Sequence, residues 1–344
     1  MSTRSSPSTT TLPAGPGLTS IQAPVADRLD RVVDELRRIV VTDFALIEQV
    51  SDYLLLVRGK LFRPTLLLLS SELDGGGGHR SEESRARAVT LGAVIELVHL
   101  ATLVHDDAVD HSVLRRGLPT LNALWTHQIA VIMGDYLYSR AVSELAALGD
   151  LEAVRVLACA ANEMSVGEMR QLTSYDALDF SKEAYLRLIA AKTASLMSAA
   201  CELGALAGAP GARAPLARFG HHLGMAFQIA DDLLDYTGTE AITGKPTGHD
   251  LRERKVTLPL VGALPRAGAA EIGEIRRFFT LVDPSDEDIA RIVGIVEERG
   301  GLEYARERAG EYAERAEQAL SGLERGPAVE ALAYSVVYVV GRSR

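Results

Sequence analysis

The chain of 344 residues has little cysteine, few aromatic residues and no long uncharged apolar run. Its two cysteines, Cys159 and Cys201, lie in helical apolar patterns and need no disulfide, which favours a reducing cytoplasm. Every apolar run contains a charge or a helix breaker before it reaches about 18 residues, so we expect no membrane span. The net charge of −10 argues against a nucleic-acid partner, although a local basic cluster with metal can still bind an anion.

The domain organisation follows from the absence of linkers and of strand patterns. Residues 1–20 are rich in Ser, Thr, Pro and Gly and carry no apolar core of a signal peptide, so we expect a disordered tail. The rest of the chain keeps apolar residues at helical spacing without an interrupting linker. We therefore predict one all-helical domain over residues 21–344.

An acidic turn closes the most apolar stretch of the chain. From Leu91 to Val109 nearly every face is apolar, which is typical of a buried helix. A polar stripe at spacings of three and four residues runs along it and ends in Asp106, Asp107 and Asp110. Because unpaired buried carboxylates cost several kcal/mol each, a cation is expected there.

A second stretch, GHHLGMAFQIADDLLDY, repeats this pattern and ends in Asp231, Asp232 and Asp235. Two such helices can face one another and present six carboxylates, an oxygen-only ligand set suited to Mg²⁺ or Mn²⁺. Because Mg²⁺ prefers one or two carboxylates together with substrate phosphates, the pair predicts a diphosphate clamp. A solvated acidic surface explains one such turn but not two matched ones.

Basic residues near these turns predict anion binding. In VRGKLFRP, Gly59 and Pro64 flank a helix start that carries Lys60 and Arg63, although a solvated basic turn fits the same residues. The arginine pair in LRRG follows the first acidic turn closely, and arginine suits diphosphate oxygens.

Lys192 stands in the apolar segment IAAKTASLM and either pairs with an anion or extends to solvent. Glu168 and Gln171 are polar neighbours at helical spacing. The polar stretch 236–255, which contains Lys245 and Lys255, predicts a mobile loop that closes over a bound diphosphate.

Together these residues resemble the trans-polyprenyl diphosphate synthases, from about Tyr53 to Thr257. The motifs are GKLFRP, HLATLVHDDAVD followed by LRRG, GDYLYSRA, AAKTASL, FQIADDLLD, and GKPTGHDL with KVTLPL. One departure is that Arg58 and Leu61 replace a glycine and an arginine that are frequent in the family. The resemblance implies an all-α, isoprenoid-synthase-type bundle of roughly 11–14 helices around a deep central cavity, usually in a homodimer.

The resemblance also implies roles for individual residues. The implied reaction is ionisation of an allylic diphosphate with three Mg²⁺ ions, for which Mn²⁺ can substitute, followed by attack of isopentenyl diphosphate and loss of a proton to the released pyrophosphate. His105 is then a hydrogen-bonded neighbour and not a base. The implied metal ligands are Asp106, Asp110 and Asp231, and the catalytic set is completed by Asp107, Asp232, Asp235 and Lys192. The allylic diphosphate would be held by Arg115, Lys192, Lys245 and Lys255, and isopentenyl diphosphate would be held by Lys60, Arg63, His99 and Arg116. Two further residues, Thr193 and Gln228, lie at active-site positions of the family.

Product length depends on what lies one helical turn, about 5.4 Å, before Asp106. Ala101 and Thr102 stand there, whereas farnesyl-type members often have an aromatic residue. We therefore predict a product of about C30–C50, the range the resemblance implies for quinone side chains, with a deeper floor on the helix of Met133, Tyr136 and Leu137. So long a product needs a membrane or a carrier for its release.

Four other classes of protein share some or all of these features. A shorter-chain farnesyl or geranylgeranyl diphosphate synthase shares all the motifs. A class I terpene cyclase has only the first of them and an aromatic-lined cavity, whereas aromatic residues make up 5% of this chain. A non-catalytic subunit tends to lose aspartates, and a plain metal-binding bundle leaves the basic residues unexplained.

Overall fold

The computed structural model describes residues 17–57, 59–73, 81–115, 117–172, 180–238 and 248–341. Arg116 and Lys245, both expected in the diphosphate site, lie outside these ranges. The first described helix begins at Leu18, so residues 18–20 are helical and the predicted tail extends too far by these three residues.

The described residues are almost entirely helical. Within the described ranges, thirteen helices have eight or more residues, which falls within the predicted range of roughly 11–14. The α-helices are α1 Leu18–Gln22, α2 Ala26–Val40, α3 Ala45–Leu56, α4 Phe62–Ser71, α5 Glu82–Val109, α6 Leu121–Leu124, α7 His127–Ala147, α8 Leu151–Leu172, α9 Lys182–Ile189, α10 Ser195–Gly208, α11 Arg213–Thr237, α12 His249–Arg252, α13 Leu258–Ala263, α14 Ala269–Phe278, α15 Asp286–Glu298, α16 Gly301–Leu320 and α17 Pro327–Gly341.

The part of the chain that the structure describes also contains three short 3₁₀ turns (Ala23–Val25, Pro210–Ala212, Leu264–Arg266) and one π-helical turn (Ala190–Ala194). The sequence pattern did not predict the two short strands, β1 Leu114–Arg115 and β2 Leu118–Pro119, which pair antiparallel after α5.

Helix α5 is the central element. The Ser81 side chain accepts a hydrogen bond from the Ser84 backbone N–H, and Glu82 and Glu83 stand in the first turn, as expected for this N-terminus. Helices α2, α4, α7 and α10 pack around α5. By length and composition α5 could cross a bilayer, but 72% of its apolar window is buried inside the protein, as in a core helix.

Helix α11 joins two hydrophobic clusters. Its N-terminal half, with Leu216 and Phe219, packs into the larger cluster formed mainly by α2, α4, α5, α7, α8 and α10. Its C-terminal half, with Ile229 and Leu233, packs into the second cluster formed with α9 and α13–α16. The acidic turn at the end of α11 is therefore held by both clusters.

Candidate active site

The first acidic turn lies at the C-terminal end of α5 and is tied to the strand pair that follows. The Arg115 Nε atom donates to both carboxylate oxygens of Asp107 at 2.9 Å, and Arg115 Nη2 lies 2.8 Å from Oδ1. Tyr53 on α3 donates to the carbonyl of Pro119 at 2.7 Å and so holds the other strand. Asp107 is buried, so its carboxylate fixes Arg115 beside Asp106 and Asp110.

Asp106 and Asp110 have different surroundings. Burial raises the pKa of Asp106 to about 6, although the positive charges of Lys192 and Arg115 oppose this shift. Asp110 caps the helix and is exposed. Lys255 Nζ lies 3.4 Å from Asp110 Oδ2. Both carboxylates are therefore close to cationic side chains that are not on α5.

Lys255 connects the two acidic regions. Its backbone N–H donates to the carbonyl of Asp250 at 2.8 Å, while its ammonium contacts Asp110 and also Glu253, at 2.6 Å. Burial alone would lower the pKa of Lys255, but the carboxylates of Glu253 and Asp110 raise it above its ordinary value. The end of α5 and the segment after α11 thus face one another.

In the second turn, Asp232 anchors a hydrogen-bond network. The carboxylate is 4% exposed and accepts from Tyr185 Oη at 2.5 Å and from Gln228 Nε2 at 2.8 Å. Gln228 accepts in turn from Thr193 Oγ1 at 2.7 Å. Burial raises the pKa of Asp232 well above its usual range. Asp232 therefore orients Gln228 and Thr193, whereas Asp231 is exposed.

Asp235 binds backbone groups of the next helix. Its two carboxylate oxygens accept from the N–H groups of His249 and Asp250 at 3.1 and 3.0 Å. These contacts cap the N-terminus of α12 and place Asp250 near Asp231. Burial and the neighbouring Asp235 carboxylate raise the pKa of Asp250 to about 7.

Sequence reasoning missed Asp250. Asp250 belongs to the motif GHDL. It stands outside the Asp-Asp-x-x-Asp pattern of α11, and its own helix has only four residues, too few to show helical periodicity. The available signal was a carboxylate within the polar stretch 236–255, in the same motif as Lys245.

The π-helical turn places Lys192 and Thr193 in the site. A Cβ atom on Gly167 would come within 2.8 Å of Ala191, and one on Gly224 within 2.6 Å of Ala194. Glycine at both positions therefore lets α8 and α11 approach the π turn closely. Within this space Lys192 makes an ion pair with Glu168 and donates to Gln171 Oε1 at 2.9 Å.

The remaining predicted anion ligands on described residues lie on α4, on α5 and in the preceding turn. Lys60 is exposed and its ammonium donates to Tyr338 Oη at 3.3 Å. Arg63 and His99 are partly buried. Leu61, the departure from the family pattern, caps α4 with a left-handed φ of 51°, a conformation that L-residues with bulky side chains rarely adopt.

The ring of His105, which precedes Asp106 in the sequence, contacts α7. Its Nε2 atom lies 3.1 Å from the carbonyl of Val131 and 3.4 Å from Asp135 Oδ1. The ring fits because residue 134 is glycine, where a Cβ would lie 2.2 Å from Nε2. The expectation of a hydrogen-bonded neighbour agrees with this geometry.

The residues expected to set product length are small or buried. Ala101 is buried, and Thr102 donates to the carbonyl of His99 at 2.8 Å, so its hydroxyl bonds within its own helix. On α7, Met133 and Leu137 are buried, while Tyr136 donates to the carbonyl of Val40 at 3.2 Å.

The donor set fits hard divalent cations. Asp106, Asp110, Asp231 and Asp250 supply only carboxylate oxygens. Among the described residues, no group of three or more Asp, Glu, His or Cys side chains could hold a metal ion by itself. A donor set of this kind fits a cation whose coordination is completed by ligand phosphates and not by an all-protein cage.

Two facing acidic turns, surrounded by Arg115, Lys192 and Lys255 in an all-helical protein, define a class of enzyme that binds diphosphates through divalent metal. The comparisons with known proteins identify the family. Residues 44–296 match the polyprenyl synthetase family model, and the chain belongs to this family of prenyl chain-elongating transferases. The predicted family, the helical fold and the enzyme class are thereby confirmed.

Individual relatives cover nearly the whole chain. An all-trans-nonaprenyl-diphosphate synthase of Rhodobacter capsulatus is 39% identical over 87% of this chain and 90% of its own length. The octaprenyl diphosphate synthase of Escherichia coli is 37% identical over 88% and 92%. The crystal structure of a Caulobacter crescentus polyprenyl synthase, complexed with calcium and isoprenyl diphosphate, superposes with a TM-score of 0.88 at 32% identity, covering 96% of this chain and 99% of that one.

Proposed function

We propose that the protein is a trans-polyprenyl diphosphate synthase that condenses isopentenyl diphosphate with an allylic diphosphate and forms a product of about C30–C50. The observation that carries this proposal is the position of Lys255, which contacts Asp110 of the first acidic turn and bonds to the backbone of Asp250 beside the second. The two turns are thus close enough to enclose one diphosphate group.

Three Mg²⁺ ions bound through Asp106, Asp110 and Asp231 would supply the positive charge that stabilises the leaving pyrophosphate. The protein's own cations add to this charge. Arg115, oriented by Asp107, and Lys192 and Lys255 surround the same region and would bind the diphosphate oxygens, together with Lys245. Thr193 and Gln228, oriented by Asp232, would direct their polar atoms to the reacting carbon.

Isopentenyl diphosphate would bind beside this region through Lys60, Arg63, His99 and Arg116. Lys60 and Arg63 lie at the start of α4, where unpaired backbone N–H groups of a helix favour an anion.

The long product is supported by the small residues before Asp106. Ala101 and Thr102 leave no bulky side chain one turn below the first acidic turn, and α7 supplies the deeper residues Met133 and Leu137. The relatives named as octaprenyl and nonaprenyl diphosphate synthases support this length. A short-chain isoprenyl diphosphate synthase of Methanothermobacter thermautotrophicus is 36% identical, so the proposal depends on these residues and not on similarity alone.

A homodimer is proposed from the exposed apolar residues of neighbouring helices. Ile132 on α7 is 65% exposed and Met169 on α8 is 61% exposed, with Val142 and Val166 nearby on the same two helices. A second copy would remove these side chains from water. We place the enzyme in the cytoplasm, with a membrane or a carrier accepting the product.

The test is incubation of the purified protein with Mg²⁺, labelled isopentenyl diphosphate and, separately, geranyl, farnesyl and geranylgeranyl diphosphates, with chromatography of the dephosphorylated products. We expect a ladder ending at C30 or beyond. In Ala101→Phe and Thr102→Phe variants we expect the ladder to end at C15–C20 with turnover retained, because an aromatic ring blocks growth within one helical turn.

Retained turnover with a shorter product serves as the control for folding of these variants. A C15 or C20 end in the unmodified protein would contradict the long product while keeping the enzyme class. A cyclic hydrocarbon product would instead support a terpene cyclase, and no product with any primer would contradict the proposal for the chain acting alone.

A further inference from the structure

Lys192 is already occupied by anionic and polar groups of the protein. Glu168 pairs with its ammonium and Gln171 accepts a hydrogen bond at 2.9 Å. The two partners lie three residues apart on α8, on one face of the helix. Any diphosphate that binds Lys192 must therefore compete with Glu168 or share the lysine with it.

The contact between Lys192 and Glu168 depends on the local backbone geometry. Lys192 lies in the π-helical turn Ala190–Ala194, and a Cβ on Gly167 would lie 3.3 Å from Lys192 Cγ. The side chains of Lys192 and Glu168 are 26% and 20% exposed. Charges this far removed from water are screened less by salt than surface pairs are.

Glu168 also acts on the first acidic turn. The negative charge of Glu168 raises the pKa of Asp106, after the larger effect of burial, while Lys192 opposes it. Glu168 is therefore within electrostatic range of a proposed metal ligand as well as in contact with Lys192. A diphosphate bound at Lys192 would be repelled by the negative charge of Glu168, which is not one of the proposed metal ligands.

Repulsion between Glu168 and a bound diphosphate would help repeated chain elongation. Each condensation leaves inorganic pyrophosphate in the allylic site, and the lengthened allylic diphosphate must then replace it. An anion-binding site made only of cations and metal would hold pyrophosphate tightly and slow each round of elongation.

We propose that Glu168 is a positioning residue that holds Lys192 when the allylic site is empty and weakens diphosphate binding there, so that pyrophosphate leaves after each condensation. This inference depends on the proposed role of Lys192 in binding the allylic diphosphate. When pyrophosphate is released, Glu168 pairs again with the Lys192 ammonium. This ion pair lowers the free-energy cost of leaving Lys192 without a bound anion.

The test is Glu168→Gln, which keeps the shape and can still accept a hydrogen bond from Lys192 but removes the charge. The dissociation constant of inorganic pyrophosphate is measured by calorimetry in Mg²⁺, with KM for farnesyl diphosphate and kcat. We expect E168Q to bind pyrophosphate about tenfold more tightly, equivalent to about 1.4 kcal/mol, with a lower KM and a lower kcat. Glu163→Gln, an exposed carboxylate on the same helix, is the matched control and should change none of these values.

A merely structural ion pair predicts the opposite result, since loss of Glu168 would then loosen Lys192 and weaken pyrophosphate binding. Unchanged or weaker binding in E168Q overturns the inference. Lys192→Ala separates this failure from failure of the proposed function: if K192A leaves the dissociation constant of pyrophosphate unchanged, then the role of Lys192 itself is wrong. Weaker binding in K192A without tighter binding in E168Q rejects only the role of Glu168.

Discussion

The two acidic turns have the same sequence pattern, Asp-Asp-x-x-Asp, but different kinds of partners. In the first, Asp107 and Asp110 contact the charged side chains of Arg115 and Lys255. In the second, Asp232 accepts from Tyr185 and Gln228, and Asp235 accepts from backbone N–H groups of α12.

The two copies of the motif therefore have different structural roles. The first turn positions cations that can themselves bind a diphosphate. The second turn positions neutral groups and the helix that carries Asp250. Asp107, Asp232 and Asp235 support the site through these contacts, while Asp106, Asp110 and Asp231 are the proposed metal ligands.

The largest expected effect separates the proposed metal ligands from the supporting aspartates. Asp106→Ala and Asp231→Ala should each lower kcat by about 10³-fold, because they remove oxygens that hold positive charge against the leaving group. The measurement is steady-state turnover at saturating substrate, with the Mg²⁺ concentration for half-maximal activity. An equal loss in Asp107→Asn and Asp232→Asn would remove the distinction between the two groups.

An effect of intermediate size on KM is expected when the supporting aspartates of the two turns are replaced. Asp107→Asn leaves Arg115 without its charged partner and should raise KM for the allylic diphosphate by about tenfold, the scale of lost supporting contacts at metal sites. Asp232→Asn keeps an acceptor for the neutral Tyr185 hydroxyl, so its effect on KM should be smaller. A larger rise in D232N than in D107N would contradict the assignment of charge orientation to the first turn.

The smallest effect concerns the cap of α12. Asp235→Ala removes the acceptor for two backbone N–H groups and should destabilise the protein by about 1 kcal/mol, seen as a lower midpoint of thermal unfolding. Asp235→Asn retains a capping oxygen and serves as the paired control. If both variants unfold at the same temperature, the cap does not contribute as the contacts suggest.

Much of this arrangement follows from local sequence. Ser81 followed by Glu82 and Glu83 predicts the start of α5, and the polar stripe predicts both acidic turns, because capping and helical periodicity depend on near neighbours along the chain. The positions of Lys60 and Arg63 at a helix start follow in the same way from Gly59 and Pro64.

The partners across the fold were not predictable in this way. Tyr185, which bonds Asp232, stands 47 residues before it, and nothing in the amphipathic pattern of α9 marks it. The π turn around Lys192 depends on close approach at Gly167 and Gly224, which lie on other helices. Such contacts are set by packing of whole helices and not by local propensity.

The capping role of Asp235 has a consequence for how the chain can vary. Its backbone carbonyl accepts from the Gly248 N–H at 2.8 Å, and its side chain binds the next two N–H groups. The start of α12 is therefore held directly by one residue of α11. Natural variation at Asp235 should be limited to side chains that keep an acceptor oxygen, since other side chains would release the helix that carries Asp250.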